Sequence, residues 1–152
     1  MKRIAKIVLL ILTLALMLCT CSCAYVKTIT RDVPRIIKLT SNISNVVQNA
    51  SSPEDAIDEA SKMLHPESTL SADSVLSHFK ENEKIASLGD ISASDIKLGT
   101  FSSPKFKNYD EALGGSVYEV NVGLTLKDTD FNLCLKILSD DTAMGIYSFE
   151  VQ

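Results

Sequence analysis

The sequence has little of several residue types on which protein function often depends. It contains no tryptophan, two histidines and four cysteines in 152 residues. Three of the cysteines, Cys19, Cys21 and Cys23, lie close together near the N-terminus. The fourth, Cys134, therefore has no partner for a disulfide within its own folded region. We expect a fold that is stable without disulfides, in which Cys134 is a small packed residue.

Basic residues are also scarce in the larger part of the chain. Residues 54–152 contain 8 basic and 18 acidic residues, a net charge of −10, whereas residues 1–38 contain 7 basic residues and 1 acidic residue. An acidic domain repels the phosphate backbone, so the composition excludes nucleic acid as a partner. The acidic charge favours solubility.

The N-terminal segment has the composition of an export signal. Lys2, Arg3 and Lys6 precede an apolar run over residues 7–18, and the whole of residues 7–26 is uncharged. Basic residues stay on the cytoplasmic side while an apolar helix inserts into the bilayer. The segment therefore predicts export, which leaves the rest of the chain on the extracytoplasmic side of the membrane.

Three fates of this segment remain open. It resembles a bacterial lipoprotein signal, in which small residues precede a lipidated cysteine; Cys23, which follows Ser22, fits best, and Cys19 and Cys21 are the other candidates. Alternatively, a cut after Ala24 releases the protein, or the uncut segment, which is long enough to span a bilayer, stays as a single-pass anchor. Lipid anchoring to the cell membrane is the favoured alternative.

Residues 1–23 are thus predicted to be a signal peptide or anchor, residues 24–51 a tether and residues 52–152 an α+β domain. Within the tether, Pro34 is predicted to open an amphipathic helix. The apolar residues that recur at helical spacing are Ile36, Leu39, Ile43, Val46, Val47 and Ala50. This stripe either packs on the domain or lies on anionic lipid, and we favour packing on the domain.

Two more helices are predicted at the start of the domain. Ser52 is a suitable N-cap, with Pro53 in the first turn, and this helix is predicted to end at His65-Pro66. The next helix is predicted to begin at Ser71 and to end at Gly89.

After Gly89 the apolar residues alternate, which is typical of strands. The alternating sets are Ile96 and Leu98; Val120, Val122, Leu124 and Leu126; Phe131, Leu133, Leu135 and Ile137; and Tyr147, Phe149 and Val151. Short polar connections between the later strands indicate antiparallel hairpins. We therefore predict an α+β fold with helices on one face of an antiparallel sheet of about four strands.

This order of elements resembles the nuclear transport factor 2-like, or cystatin-like, fold over residues 52–152. The resemblance rests on three short motifs followed by three C-terminal strands. The motifs are Ser52-Pro53-Glu54-Asp55-Ala56, His65-Pro66-Glu67-Ser68 and Leu70-Ser71-Ala72-Asp73. Small bacterial lipoproteins often have this layout behind their anchor. The chain departs from the pattern where Ser102-Ser103-Pro104 interrupts the early strand region.

The resemblance also implies candidate catalytic residues, because related folds include isomerases and dehydratases with Asp, Tyr or His in a pocket. By that analogy the candidates are His65, His78, Asp95, Tyr118 and Tyr147. His65 is expected to cap a helix or to be solvated, and His78 to point away from the core. Because no nucleophile or paired carboxylate has a base at a recognisable spacing, we predict no enzyme activity.

No cofactor or metal is predicted either. The Cys19-x-Cys21-x-Cys23 spacing lacks the second pair of ligands that a structural zinc site requires. Four aspartates crowd the hairpin connections and are weak candidates for calcium. These are Asp128, Asp130, Asp140 and Asp141. The turn preference of aspartate explains them equally well without a metal.

The function predicted first is a non-catalytic interaction module of the cell envelope, whose partner would be another envelope protein. The alternative is a binding domain that holds a small apolar ligand or a peptide in the concave face of the sheet. A cavity of several hundred cubic ångströms would favour the ligand. A filled core with an exposed apolar edge would favour the protein partner.

Overall fold

The computed structural model describes residues 28–152. The chain divides into two units, Met1–Pro34 and Arg35–Gln152, and the division falls within the first described helix. The helices are α1 (28–49), α2 (Pro53–Ser61), α3 (Ala72–Glu81) and α4 (Glu83–Ala86), followed by a short 3-10 turn at Ala93–Asp95. The strands are β1 (Ile96–Leu98), β2 (Lys105–Asp110), β3 (Gly115–Leu126), β4 (Thr129–Ser139) and β5 (Met144–Val151).

The five strands form one antiparallel sheet in the order β1-β3-β4-β5, and β2 pairs with the same edge of β3 as β1. The predicted α+β class with antiparallel hairpins is confirmed. The predicted count of about four strands omitted β2. The sequence signal of β2 is weak because this edge strand is largely exposed, and Phe106 is its only apolar residue besides Tyr109.

β1 and β2 follow one another along β3 and are separated by an irregular segment, residues 99–104. The interruption that Ser102-Ser103-Pro104 predicted is therefore present. Contact with β3 nevertheless continues across it, because the Ser102 backbone N–H donates to the Asn121 carbonyl and the Ser102 hydroxyl accepts from the Asn121 N–H. A serine side chain thus replaces a lost backbone acceptor at the break.

One face of the sheet, called the inner face here, carries most of the core. Its residues on β3 and β4 alternate as the sequence predicted. They are Tyr118, Val120, Val122, Leu124 and Leu126 on β3, opposite Ile137, Leu135, Leu133, Phe131 and Thr129 on β4. The opposite, outer face is mostly polar and carries ion pairs such as Lys136–Glu150.

The helices pack on the inner face. Ile36 of α1 is buried with Tyr118 and Val120, Ile43 of α1 packs near Leu135, and Ile85 of α4 lies in a third cluster. The predicted packing of the α1 stripe on the domain is confirmed. Pro34, however, does not open this helix, which is already helical at residue 28.

The second helix begins as predicted and ends early. The Ser52 hydroxyl caps α2 by accepting from the Asp55 N–H, but the helix ends at Ser61 rather than at His65-Pro66. The reason is tertiary: the segment after α2 pairs with β5, as the Ile146 N–H donates to the Met63 carbonyl and the His65 N–H to the Ile146 carbonyl. These bonds replace the last helical turn.

The third predicted helix is two helices. Ser71 caps α3 as expected, but Asn82 interrupts it and its side chain caps the short α4 by accepting from the N–H groups of Lys84 and Ile85. Asparagine is a strong N-cap, and its extended backbone breaks the run. Gly89 ends this region with a φ of +68°, the left-handed geometry expected of a glycine stop.

In the last strand the predicted alignment of Tyr147, Phe149 and Val151 is wrong for Tyr147. A bulge follows Ile146, so the inward residues are Ile146, Phe149 and Val151, and Tyr147 falls in the irregularity. The bulge shifts the alternation by one residue, which a strict period of two cannot anticipate.

The predictions for Cys19, Cys21 and Cys23 lie outside the described residues. Within residues 28–152, none of the helices has both the length and the apolar character needed to cross a bilayer.

Candidate functional site

A cavity of about 590 Å³ lies between the inner face of the sheet and helices α2, α3 and α4. Its floor consists mainly of leucines, because the strand register places them side by side. Leu98 pairs with Leu124, and Leu133 and Leu135 follow on β4. The floor offers an apolar surface without hydrogen-bonding side chains at these positions.

The roof of the cavity is built by α2 and α3. α2 contributes small residues, Ala56 and Ala60, whose short side chains leave space that larger ones would fill. α3 contributes Val75, Leu76 and Phe79, and none of its residues is fully buried. An amphipathic helix usually buries its apolar face. Here that face borders the cavity instead, which leaves these side chains half-exposed.

The polar lining residues lie mostly where the cavity meets solvent. Glu54, Lys80 and Asp90 are exposed, and Ser61 is half-buried. We call the first three residues the mouth. An apolar interior with a few polar groups at the entrance is the usual composition of a small-molecule site.

A second feature is the buried pair His65–Asp140, next to the cavity-lining residues Leu64 and Ile146. The His65 side chain is 1% exposed, and its Nε2 lies 3.2 Å from Asp140 Oδ2. Its Nδ1 accepts from the Glu67 N–H at 3.2 Å, whereas its buried Nε2, although close to the carboxylate, makes no hydrogen bond. The expectation that His65 is solvated is wrong.

Asp140 is held by its own turn. Its Oδ1 accepts from the Ala143 N–H and from the Thr142 hydroxyl and N–H. These bonds, led by the one from Ala143, lower the pKa of Asp140 to about 2, and His65 adds a smaller effect. A general base needs access to the proton that it removes, whereas His65 is enclosed and both of its nitrogens face protein groups. The His65 backbone, rather than its ring, ties this segment to the sheet, because its N–H donates to the Ile146 carbonyl.

The other residues suggested by the resemblance have separate surroundings. Tyr118 is fully buried, with its ring 5.7 Å from that of Phe106. His78 is exposed, as predicted, and packs edge-on against Phe149. Asp95 accepts from the Ser92 backbone N–H and hydroxyl, which lowers its pKa.

Tyr147 completes this set. It lies at the β5 bulge, where its carbonyl accepts from the Ser68 hydroxyl. Among these five residues, His65 lies beside the Asp140 carboxylate. The sequence indicated Asp140 as a turn residue or a calcium ligand and not as a catalytic residue.

The four candidate calcium ligands do not form one cluster. Asp128 and Asp130 are at the β3–β4 turn and Asp140 and Asp141 at the β4–β5 turn, at opposite ends of the 11-residue strand β4. A strand of that length spans about 35 Å. Over residues 28–152, the structure contains no group of three or more His, Cys, Asp or Glu residues placed to hold a metal ion.

Cys134 lies on the outer face of β4, paired with Asn121. It is 6% exposed, and burial raises the pKa of its thiol, with Glu119 and Glu150 adding to the effect. This agrees with the expected small packed residue, because a thiol with a raised pKa is a poor nucleophile at neutral pH.

The sequence suggested a ligand cavity only as the alternative to a filled core and did not decide between the two. The only signal was the pair of alanines on α2 opposite a leucine-rich sheet face, which a filled core would show equally well. The chain matches no family model, and no curated protein or solved structure is similar enough to count as a match. What the structure defines is a small α+β protein with an apolar cavity between its helices and its sheet.

Proposed function

We propose that this chain is an exported, membrane-attached protein whose unit Arg35–Gln152 binds a small apolar molecule in the cavity between its helices and its sheet. The observation that supports ligand binding is the cavity, about 590 Å³ in volume and lined mainly by aliphatic side chains. Small-molecule sites typically have volumes of roughly 300–1,000 Å³ and are mostly apolar.

The size of the cavity argues that it is not a packing defect. Protein interiors are close-packed, with few voids larger than a water molecule. A cavity of about 590 Å³ is many times larger than such voids. The cavity must therefore be open to water or occupied, and its exposed mouth provides the opening.

The protein-interaction module, which the sequence favoured, has less support. That function would call for an exposed apolar edge. Among the described residues, the large hydrophobic side chains that are strongly exposed are Ile37 and Tyr109. They lie on α1 and β2, and two residues are far fewer than the contiguous patch that marks a docking surface.

A cavity-filling variant tests ligand binding. The full chain is held in an uncharged amphipathic polymer, since detergent would itself enter an apolar cavity, and titrated with the neutral fluorescent probe N-phenyl-1-naphthylamine. Ala60→Trp places a large ring in the cavity, whereas Ala112→Trp makes the same change at an exposed turn. We expect saturable binding that Ala60→Trp reduces at least tenfold and Ala112→Trp leaves unchanged.

Equal binding by both variants would show that the probe does not enter the cavity. Circular dichroism and a thermal melt of each variant establish that both are folded before the titration.

Membrane attachment is supported by the basic, then apolar, then cysteine-containing order of the first 23 residues. Cell fractionation with mass spectrometry of the N-terminus tests it. We expect a membrane-bound product that begins at a diacylated cysteine, Cys23 in the first instance, and Cys23→Ala should then be released or left uncut. A product in the cytosol with Met1 intact would contradict export.

A further inference from the structure

We propose that the ligand is an amphiphile with an unbranched or simply branched aliphatic chain and a head group that carries no net negative charge. This inference rests on the proposed function, because it identifies the class of molecule that the same cavity accepts. It is argued from the composition of the interior and from the charges at the mouth.

The interior selects an aliphatic chain. Leu98, Leu124 and Leu135 line the floor, and Ile57 and Val75 belong to the roof, so a ligand inside meets mostly methyl and methylene groups. A hydroxyl or amide placed there would lose its hydrogen bonds to water without replacing them, and a carboxylate would lose still more. The part of the ligand that enters the cavity therefore lacks polar groups.

The mouth is where a polar head group must lie. Glu54 and Asp90 contribute two negative charges there and Lys80 one positive charge, and all three side chains are exposed. The lining thus carries one more carboxylate than ammonium group, which disfavours a carboxylate head group. The mouth as a whole therefore favours a cationic or uncharged head group.

The surrounding domain adds to the same preference. The unit Arg35–Gln152 contains 10 basic and 18 acidic residues, a net charge of −8, which favours a negative potential around it. Such a potential raises the local concentration of cations and lowers that of anions, and added salt weakens the effect. An anionic amphiphile such as a free fatty acid is consequently a poor ligand for this site.

Three compounds with the same ten-carbon chain test the proposal: decylamine, 1-decanol and sodium decanoate. Each displaces the neutral probe from the full chain in the uncharged polymer at pH 7, with Ala60→Trp as the blank for binding outside the cavity. We expect the amine to bind about tenfold more tightly than the carboxylate at low ionic strength, with the alcohol between them, and the difference to shrink in 0.5 M salt.

A charge-matched pair of variants separates the mouth from the overall charge. Glu54→Gln with Asp90→Asn removes both mouth carboxylates, and Glu111→Gln with Asp128→Asn removes two exposed carboxylates that do not line the cavity. The first double variant should reduce the amine-to-carboxylate ratio to about twofold. The second double variant should retain most of the amine-to-carboxylate affinity ratio.

The outcomes distinguish this inference from the proposed function. Equal affinities, or tightest binding of decanoate, would overturn the inference and leave apolar ligand binding standing. If none of the three compounds displaces the probe from the wild-type chain beyond the Ala60→Trp blank, the proposed function fails as well.

Discussion

At the level of single residues, Gly145 allows a close approach between two chain segments. A Cβ at this position would lie 2.5 Å from the His65 backbone nitrogen and 2.7 Å from the Leu64 carbonyl carbon. Non-bonded atoms do not approach to either of these distances. Residue 145 must therefore be a glycine if residues 63–65 are to pair with β5. The sequence contains no local sign of this requirement, because the neighbours are 80 positions apart.

Gly145→Ala is therefore expected to destabilise the protein by about 1–3 kcal/mol, since the added methyl group pushes the His65 segment away from β5. Urea unfolding followed by circular dichroism measures the loss. Gly123→Ala, on β3, is the matched control because a Cβ added at that position would have no neighbouring atom within 4 Å. If the two variants lose similar amounts of stability, the loss comes from the strand propensity of the residue and not from the close approach to His65.

Asp140 is expected to make stability depend on acid pH. Its pKa is about 2 in the folded protein against an ordinary value of 3.8, because the Ala143 and Thr142 groups donate to its carboxylate. Between these values the unfolded chain binds more protons than the folded one, so the stabilisation is present above pH 4 and is lost as the pH falls towards 2.

Thermal melts from pH 6 to pH 2 measure this dependence. Asp140→Asn, which cannot ionise, should be less stable than the wild type at pH 6 and should lose less stability on acidification. If the melting temperature of Asp140→Asn falls with pH as steeply as that of the wild type, other carboxylates cause the acid sensitivity.

At the level of secondary structure, local signals correctly predicted the starts of α2 and α3 but not the end of α2. Ser52 and Ser71 cap their helices as predicted because a side-chain hydroxyl close in sequence satisfies a free N–H group. α2 ends early because β5, distant in sequence, offers hydrogen bonds to Met63 and His65. The β5 bulge at Tyr147 depends in the same way on its partner strand.

The β3–β4 hairpin contains a local strain that can be relieved. Its two-residue turn places Lys127 at φ 45° and Asp128 at φ 65°, a geometry that favours glycine and asparagine. Asp128→Gly is expected to stabilise the protein by about 1 kcal/mol, because glycine adopts this conformation without a steric penalty.

Equilibrium unfolding in urea tests this, with Glu111→Gly as the control at a turn residue that does not have a positive φ. The control should be neutral or slightly destabilising. A loss of stability in Asp128→Gly would show that the aspartate side chain contributes more than its backbone geometry costs.

At the level of the whole molecule, ligand binding and folding stability are linked. A molecule that binds the folded cavity and not the unfolded chain stabilises the protein by about 2.7 kcal/mol at a free concentration of 100 times its Kd. We expect decylamine to raise the melting temperature of the full chain in a concentration-dependent way. Ala60→Trp should abolish the shift, while Ala112→Trp should retain it. A shift of equal size in both variants would indicate binding to the surface or to the polymer.

The sequence by itself determined the α+β class, the helix starts at Ser52 and Ser71 and the inward-facing residues of β3 and β4. These features depend on spacing and on capping groups that lie within a few residues of one another. Only the tertiary structure decided the early end of α2, the burial of His65 beside Asp140 and the presence of a cavity beneath α3. A cavity is the volume left over when elements distant in sequence pack together, so no local pattern distinguishes it from a filled core.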